Sequence, residues 1–150
     1  MEDGNNSYSI PLNERTLDVR IGVAQYGNFA DLDILVYDKD WQVRTIVARH
    51  GRDKDLDILV NDEDWRVKVE IARHGRPQDL DILVHDPSWI VRAEVAMHSR
   101  YEDLDILVYD QSSTVRQIVA IHGREKDIEV LKNDNDPKVQ KIVTKYSANC

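Results

Sequence analysis

Residues 31–50 read DLDILVYDKDWQVRTIVARH. The opening octet returns as DLDILVND at Asp55, DLDILVHD at Asp79, DLDILVYD at Asp103 and DIEVLKND at Asp127. The spacing is 24 residues each time, without an insertion. Counting back gives a sixth, degenerate copy. The copies are then 7–30, 31–54, 55–78, 79–102, 103–126 and 127–150, after a tail of residues 1–6. A fixed period of this length marks a stack of small units, none able to bury its apolar face alone.

Each copy reads as two short helices. The first covers the DLDILV segment, with Asp31, Asp55, Asp79, Asp103 and Asp127 placed to cap its free backbone N–H groups. The second starts after Thr16, Asp40, Asp64, Ser88, Ser112 and Asp136, all residue types favoured at helix starts. Pro137 follows at a first helical position, where proline is tolerated. The second helix runs as W-x-V-R-x-x-V-A-R-H and stops at Gly27, Gly51, Gly75 and Gly123. A left-handed glycine there costs little. Ser99 and Ser147 hold that place in two copies, where weaker ends are expected. Leu32, Leu35 and Val36 recur in the first helix, and Val43, Val47 and Ala48 in the second. Neither helix is long enough to persist alone in water. The pattern predicts an all-α fold, an α-solenoid of six two-helix repeats.

Composition narrows the function. The chain has 150 residues, 20 Lys plus Arg against 28 Asp plus Glu, and a formal net charge of −8. Nucleic acid is disfavoured as a partner, because binding it needs a basic face that displaces counterions. The same balance argues against an anionic membrane surface. Apolar residues at 41% are sufficient for a core. No apolar run is long enough to span a bilayer, and MEDGNNSYSIPLNER carries no apolar signal region. The single cysteine, Cys150, allows neither an internal disulfide nor a cysteine-rich metal site. A reducing, cytoplasmic setting is the expectation.

Asp38 followed by Val43 and Arg44 recurs as Asp62/Val67/Lys68, Asp86/Val91/Arg92 and Asp110/Val115/Arg116. This spacing resembles the HEAT repeat. The 24-residue length and the LxxLxxDxxxxVRxxVA shape are still closer to the leucine-rich repeat variant, a short HEAT-like relative. The resemblance covers residues 7–150 and implies a HEAT-like superhelix. One member of the variant family carries an N-terminal cysteine cluster with an iron–sulfur centre. This chain lacks those cysteines, so no cofactor is implied. HEAT-like glycosylases and bilin lyases exist, but no motif here carries over their activities.

Several columns invite chemistry. His50, His74, His98 and His122 are in register, with Tyr26 and Tyr146 at the ends. Neighbouring copies should lie about 8–10 Å apart, whereas zinc needs its nitrogens at about 2.0–2.1 Å. The expected role is therefore to close the helix end and bond a backbone group of the next turn. The Asp38 and Arg44 columns predict a ladder of five charge pairs between copies, since arginine's fork can bridge two acceptors. Asp53, Asp55 and Asp57 loosely mimic a calcium loop, but Ile58 and Asp64 stand where glycine and glutamate are needed. Arg52, Arg76, Arg100 and Arg124 form a ladder that the acidic columns beginning three residues later should neutralise. No H-E-x-x-H, G-x-S-x-G or glycine-rich phosphate loop occurs. An enzyme is not expected, nor a bound metal.

The informative signal is variation. Positions 43, 44, 47, 48 and 50 barely change between copies, while 42, 45, 46 and 49 change freely. Their spacing puts them on one helical stripe. It reads Asp18/Ile21/Gly22/Gln25, Gln42/Thr45/Ile46/Arg49, Arg66/Val69/Glu70/Arg73, Ile90/Ala93/Glu94/Met97, Thr114/Gln117/Ile118/Ile121 and Lys138/Lys141/Ile142/Lys145. A divergent stripe on uniform copies suits a particular ligand. The predicted function is a non-catalytic scaffold, adaptor or inhibitor that binds another protein. The predicted contacts are Arg49, Arg66, Arg73, Ile90, Met97 and Ile121, with Trp41, Trp65 and Trp89 as a rim of aromatic anchors. The second helices should line the concave face. The alternative is a nucleic-acid-binding solenoid using the Arg ladders and the tryptophans.

Overall fold

The computed structural model describes residues 10–147. Among them are eleven α-helices, a 3-10 turn over Leu12–Glu14, and no strand. Long helices alternate with short ones. The long set is α1 (Leu17–Tyr26), α3 (Trp41–Arg49), α5 (Trp65–His74), α7 (Trp89–Met97), α9 (Ser113–His122) and α11 (Pro137–Ser147). The short set is α2 (Phe29–Leu35), α4 (Asp53–Leu59), α6 (Pro77–Leu83), α8 (Tyr101–Leu107) and α10 (Glu125–Leu131). Each long helix packs on the next long helix, and each short helix packs on the long helices flanking it.

The recurring apolar residues explain that arrangement. Val43, Val47 and Ala48 of α3, with their counterparts through Val139 and Val143, are buried between long helices. The leucines of the short helices, Leu32/Leu35 through Leu104/Leu107, close the other side. The result is one continuous core from Ala24 to Val143. Each such side chain contributes about 1.5–3 kcal/mol through burial. Truncating one, as in Leu80→Ala, costs about 2–5 kcal/mol because a cavity remains.

The long helices start where the sequence expects. Asp40 Oδ1 accepts from the Gln42 amide at 2.8 Å, and Asp64 Oδ1 from the Arg66 amide at 2.9 Å. Asp136 does the same for Lys138 at 2.8 Å. Thr16, Ser88 and Ser112 hold the position without a side-chain bond. In those last two copies the preceding column helps instead. Asp86 and Asp110 accept from the Ser88 and Ser112 amides at 2.8 Å.

The short helices start earlier than expected. Asp31, Asp55, Asp79, Asp103 and Asp127 do not cap them. The caps are Asn28, Arg52, Arg76, Arg100 and Arg124, and the aspartates occupy the third helical position. In α2 this makes a reciprocal box. Asn28 accepts from the Ala30 and Asp31 amides, and Asp31 accepts from the Asn28 amide at 3.1 Å. An arginine has no acceptor with which to cap. Its fork instead clasps the aspartate three residues on, in Arg52–Asp55, Arg76–Asp79 and Arg124–Asp127, at 2.5–2.8 Å. Those carboxylates are buried.

The helix stops also need one correction. Gly51, Gly75 and Gly123 take φ of 68–70°, as a left-handed stop requires. Gly27 does not; its φ is −72°. There the reason for glycine is space, since an added Cβ would lie 2.4 Å from the Val23 carbonyl oxygen. Ser99 adopts φ of 60° despite its side chain. Ser147 is still helical, with Oγ on the Val143 carbonyl at 3.1 Å.

Candidate interaction face

Two sets of bonds stitch consecutive copies and fix how the long helices present their outer sides. The first is the predicted charge ladder. Arg20, Arg44, Arg92 and Arg116 reach Asp38, Asp62, Asp110 and Asp134 of the following copy at 2.6–2.7 Å. Lys68 pairs with Asp86 in the remaining, third rung. The same aspartates accept the amide two residues on, so each joins a turn to its neighbour. The hydrogen bonds of Arg116 hold the Asp134 carboxyl below the usual carboxylate range.

The second set is the histidine column. Nε2 of His50, His74 and His122 lies 2.7–2.8 Å from the carbonyls of Ala24, Ala48 and Ala96. Each ring thus bonds the preceding copy rather than its own turn. A carbonyl only accepts, so Nε2 carries the proton. Tyr146 donates its hydroxyl to the Ile121 carbonyl at 2.6 Å, one residue past the equivalent of Ala96. The rings of His74, His98 and Tyr146 also sit against Gly51, Gly75 and Gly123, where a Cβ would approach within 2.7–2.9 Å. These histidines are fasteners between copies, which corrects the expected bond to the next turn.

The arginines after the glycine column are likewise occupied. Arg52, Arg76, Arg100 and Arg124 are mostly covered, and each also reaches the Asp33, Asp57, Asp81 or Asp105 carboxylate on the preceding short helix. The carboxylates that mimic a calcium loop are taken up in the same way. Asp53 and Asp57 pair with Arg76, Asp55 with Arg52, and Asp64 with Arg66. Among the described residues, no group of three His, Cys, Asp or Glu could hold a metal ion. No described helix is long and apolar enough to cross a membrane.

The variable stripe divides into two parts. Its inner positions belong to the core in the central copies, where Val69, Glu70 and Ala93 are buried. The cause is direct packing of α5 and α7 on their long neighbours. Its outer positions stay open. Met97 is 58% exposed and Ile121 56%, on adjacent helices at equivalent places. Ile90 is half-buried against the core, as are Ile46, Ile118 and Ile142.

Arg49 and Arg73 are exposed and Arg66 is half-buried, and none of the three is free. Arg49 Nε lies 3.3 Å from Glu70, and Arg73 lies 3.2 Å from Glu70 and 3.5 Å from Glu94. The three copies share one zigzag of charge. Arg66 bonds Asp64 at 2.8–2.9 Å and lies 3.7 Å over the Trp41 ring, a cation–π contact. That stack makes Trp41 part of an intramolecular contact; Arg66 also lies 5.6 Å from the Trp65 ring, while Trp65 and Trp89 remain 39% and 46% exposed.

Two surface features escaped the sequence reading. Ile34, Ile58, Ile82, Ile106 and Val130 form a ridge on the short helices, each 40–50% exposed. A helical wheel shows why. Two residues past Leu32 is about 200° away, on the opposite side. The ridge is isoleucine in four short helices and valine in the fifth, so it hardly distinguishes one part of the array from another. The second feature is α11, whose Lys138, Lys141 and Lys145 are all exposed. They lie in the stripe but outside the predicted patch.

The chain matches no family model and no curated relative.

Proposed function

We propose that this protein is a non-catalytic binding module, a scaffold, adaptor or inhibitor for another protein. Its architecture is an α-solenoid of six 24-residue repeats of HEAT-like character, closest in repeat length to the leucine-rich repeat variant. The long helices line the concave side. Their direct mutual packing, against the wider separation of the short helices, supports that curvature. The single cysteine, Cys150, suits a cytoplasmic setting.

One observation carries the reading. The outermost column of the stripe holds Gln25, Arg49, Arg73 and Lys145, yet presents Met97 and Ile121 side by side to solvent. An exposed apolar pair in a column that otherwise holds polar side chains suits contact with a partner. Affinity then comes from shape and apolar burial, with no bond made or broken. The histidine, aspartate and arginine columns support the non-catalytic part, because their polar atoms are engaged between copies. The nucleic-acid alternative loses its basis, since the Arg ladders are paired with carboxylates.

The test replaces Arg73, Met97 and Ile121 together with Asp. Capture from extracts of the native host should lose the partners that the unaltered chain retains. Unchanged partners, with an unchanged circular dichroism spectrum, would show that this face is not the site.

A further inference from the structure

We infer that the partner is an acidic segment with an apolar anchor, seated on Met97 and Ile121 and running onto the lysines of α11. The inference rests on the protein-binding reading above and specifies the partner's chemistry and polarity.

Charge along the face is graded. At the α3 to α7 end, Arg49 and Arg73 are met by Glu70 and Glu94. At α11 the balance changes. Lys138, Lys141 and Lys145 occupy the columns of Ile90, Ala93 and Met97, two copies on. All three are exposed, and no described carboxylate lies within the 4 Å reach of an ion pair. Their spacing of three and four residues puts them on one side of the helix. Arg15 and Lys39 also lack a carboxylate partner, but each stands alone on another element. A chain of net charge −8 thus concentrates unpaired positive charge beside its exposed apolar pair. Ile142 of α11 and Ile118 of α9 are half-buried between the two and continue the apolar floor.

Geometry sets the ligand's spacing. Along the outermost column the order is Arg73, Met97, Ile121, Lys145, one per long helix. Packed helices lie about 8–10 Å apart, which an extended segment crosses in about three residues. The fitting segment has two apolar residues about three positions apart. Asp or Glu residues begin about three positions beyond them, on one side only. Its acids gain most at low salt, because exposed charges are screened over about 10 Å at 0.1 M.

The probe is a randomised peptide library displayed against the intact chain, with selected peptides measured by fluorescence anisotropy. Selected sequences should combine an apolar pair with acids to one side. Lys138→Glu, Lys141→Glu and Lys145→Glu together should weaken them roughly tenfold or more, as should added salt. Met97→Asp with Ile121→Asp should abolish binding. Neutral or basic peptides that need Met97 and Ile121 but ignore the lysines would overturn the acidic partner and leave the face standing. Selected peptides indifferent to both sets of substitutions, or a library that yields no binders, would overturn the face as well. A single-stranded oligonucleotide that binds as tightly as the peptides, and ignores Met97→Asp with Ile121→Asp, would return the lysines to phosphate and overturn the proposal.

Discussion

Arg44 donates from Nε and Nη2 to both carboxylate oxygens of Asp62, at 2.6 and 2.9 Å, and from Nη1 to the carbonyl of Asp38 at 2.7 Å. One guanidinium therefore closes the turn of its own copy and fastens the next. A planar fork with fixed donor directions suits this job, and an ammonium does not. The chain contains its own control, since Lys68 makes only the bond to Asp86. Arg92→Lys should therefore cost about 1 kcal/mol, the size of a net hydrogen bond, and Lys68→Arg should gain a similar amount. Urea midpoints of both variants test this. Equal stability for Arg and Lys at both places would mean that the second and third bonds contribute nothing.

The Arg–Asp clasp at the start of the short helices is hydrogen-bonded in three copies and reduced to a bare ion pair in one. In α8, Arg100 leans toward Asp81 and Glu102; its Nε stays 3.1 Å from Asp103 Oδ2 as an ion pair, but the two atoms are not aligned for a hydrogen bond. Burial pushes the Asp103 carboxyl up, against the pull of Arg100. Asp79 is equally buried but accepts two bonds from Arg76. Asp79→Asn should cost about 3 kcal/mol, as does breaking a buried pair. Asp103→Asn should stay within about 1 kcal/mol of the parent or exceed it. Guanidinium denaturation of the two variants separates them, and equal losses would refute the distinction.

Acid stability follows from the same groups. The Asp134 carboxyl is lowered by Arg116, and the Asp64 carboxyl by Arg66. For a lowered carboxyl, the stabilisation is fully present above its unfolded value of about 3.9. It is lost as pH falls through the lower folded value. Asp103 runs the other way, because its raised folded value means that ionisation opposes folding. Stability should be level across neutral pH and fall below about pH 4. Asp134→Asn should flatten that fall. Any advantage of Asp103→Asn should fade as pH drops through the raised value. Thermal midpoints between neutral pH and the acid limit would show both, and an acid fall as steep in Asp134→Asn as in the parent would refute the first.

Ser99 stands at φ of 60°, where Gly51, Gly75 and Gly123 stand at 68–70°. Left-handed backbone costs a residue with a Cβ about 1–2 kcal/mol. Part of this is offset by the 3.0 Å contact of Ser99 Oγ with His122 Nδ1. Nε2 of that ring is committed to Ala96, so Nδ1 accepts from the hydroxyl. Ser99→Gly should raise stability by up to about 1 kcal/mol. Gly75→Ala should lower it by more, since the added methyl also meets the His98 ring at 2.9 Å. Differential scanning calorimetry of the pair tests the sign of each.

Much of this was legible in the period. A column holding Asp38, Asp62, Asp86, Asp110 and Asp134 against one holding Arg20, Arg44, Lys68, Arg92 and Arg116 announces a ladder, because identical copies repeat identical contacts. The start of the short helices was not legible. An aspartate capping a helix and one at its third position look alike in sequence, and Arg52 is an unusual cap. The pairing of Arg49 with Glu70 was hidden for another reason. It spans 21 residues, a diagonal set by how closely α3 and α5 approach. The burial of Val69 and Ala93 depends on that same distance.

Glu70 tests what the zigzag of charge does. Its column reads Gly22, Ile46, Glu70, Glu94, Ile118 and Ile142, so three copies place isoleucine there, each half-buried. Replacing a buried ion pair by a well-packed apolar residue is often neutral or stabilising. Glu70→Ile should therefore hold stability within about 1 kcal/mol of the parent, while Glu70→Ala leaves a gap and loses more. The isoleucine variant also strips Arg49 of its carboxylate, whereas Arg73 keeps Glu94 at 3.5 Å. Phenylglyoxal, which modifies exposed guanidinium groups, should then label Arg49 faster and leave Arg73 little changed. A loss of about 3 kcal/mol in Glu70→Ile would instead make the zigzag a structural tie. The divergence of this column would then reflect packing rather than a ligand.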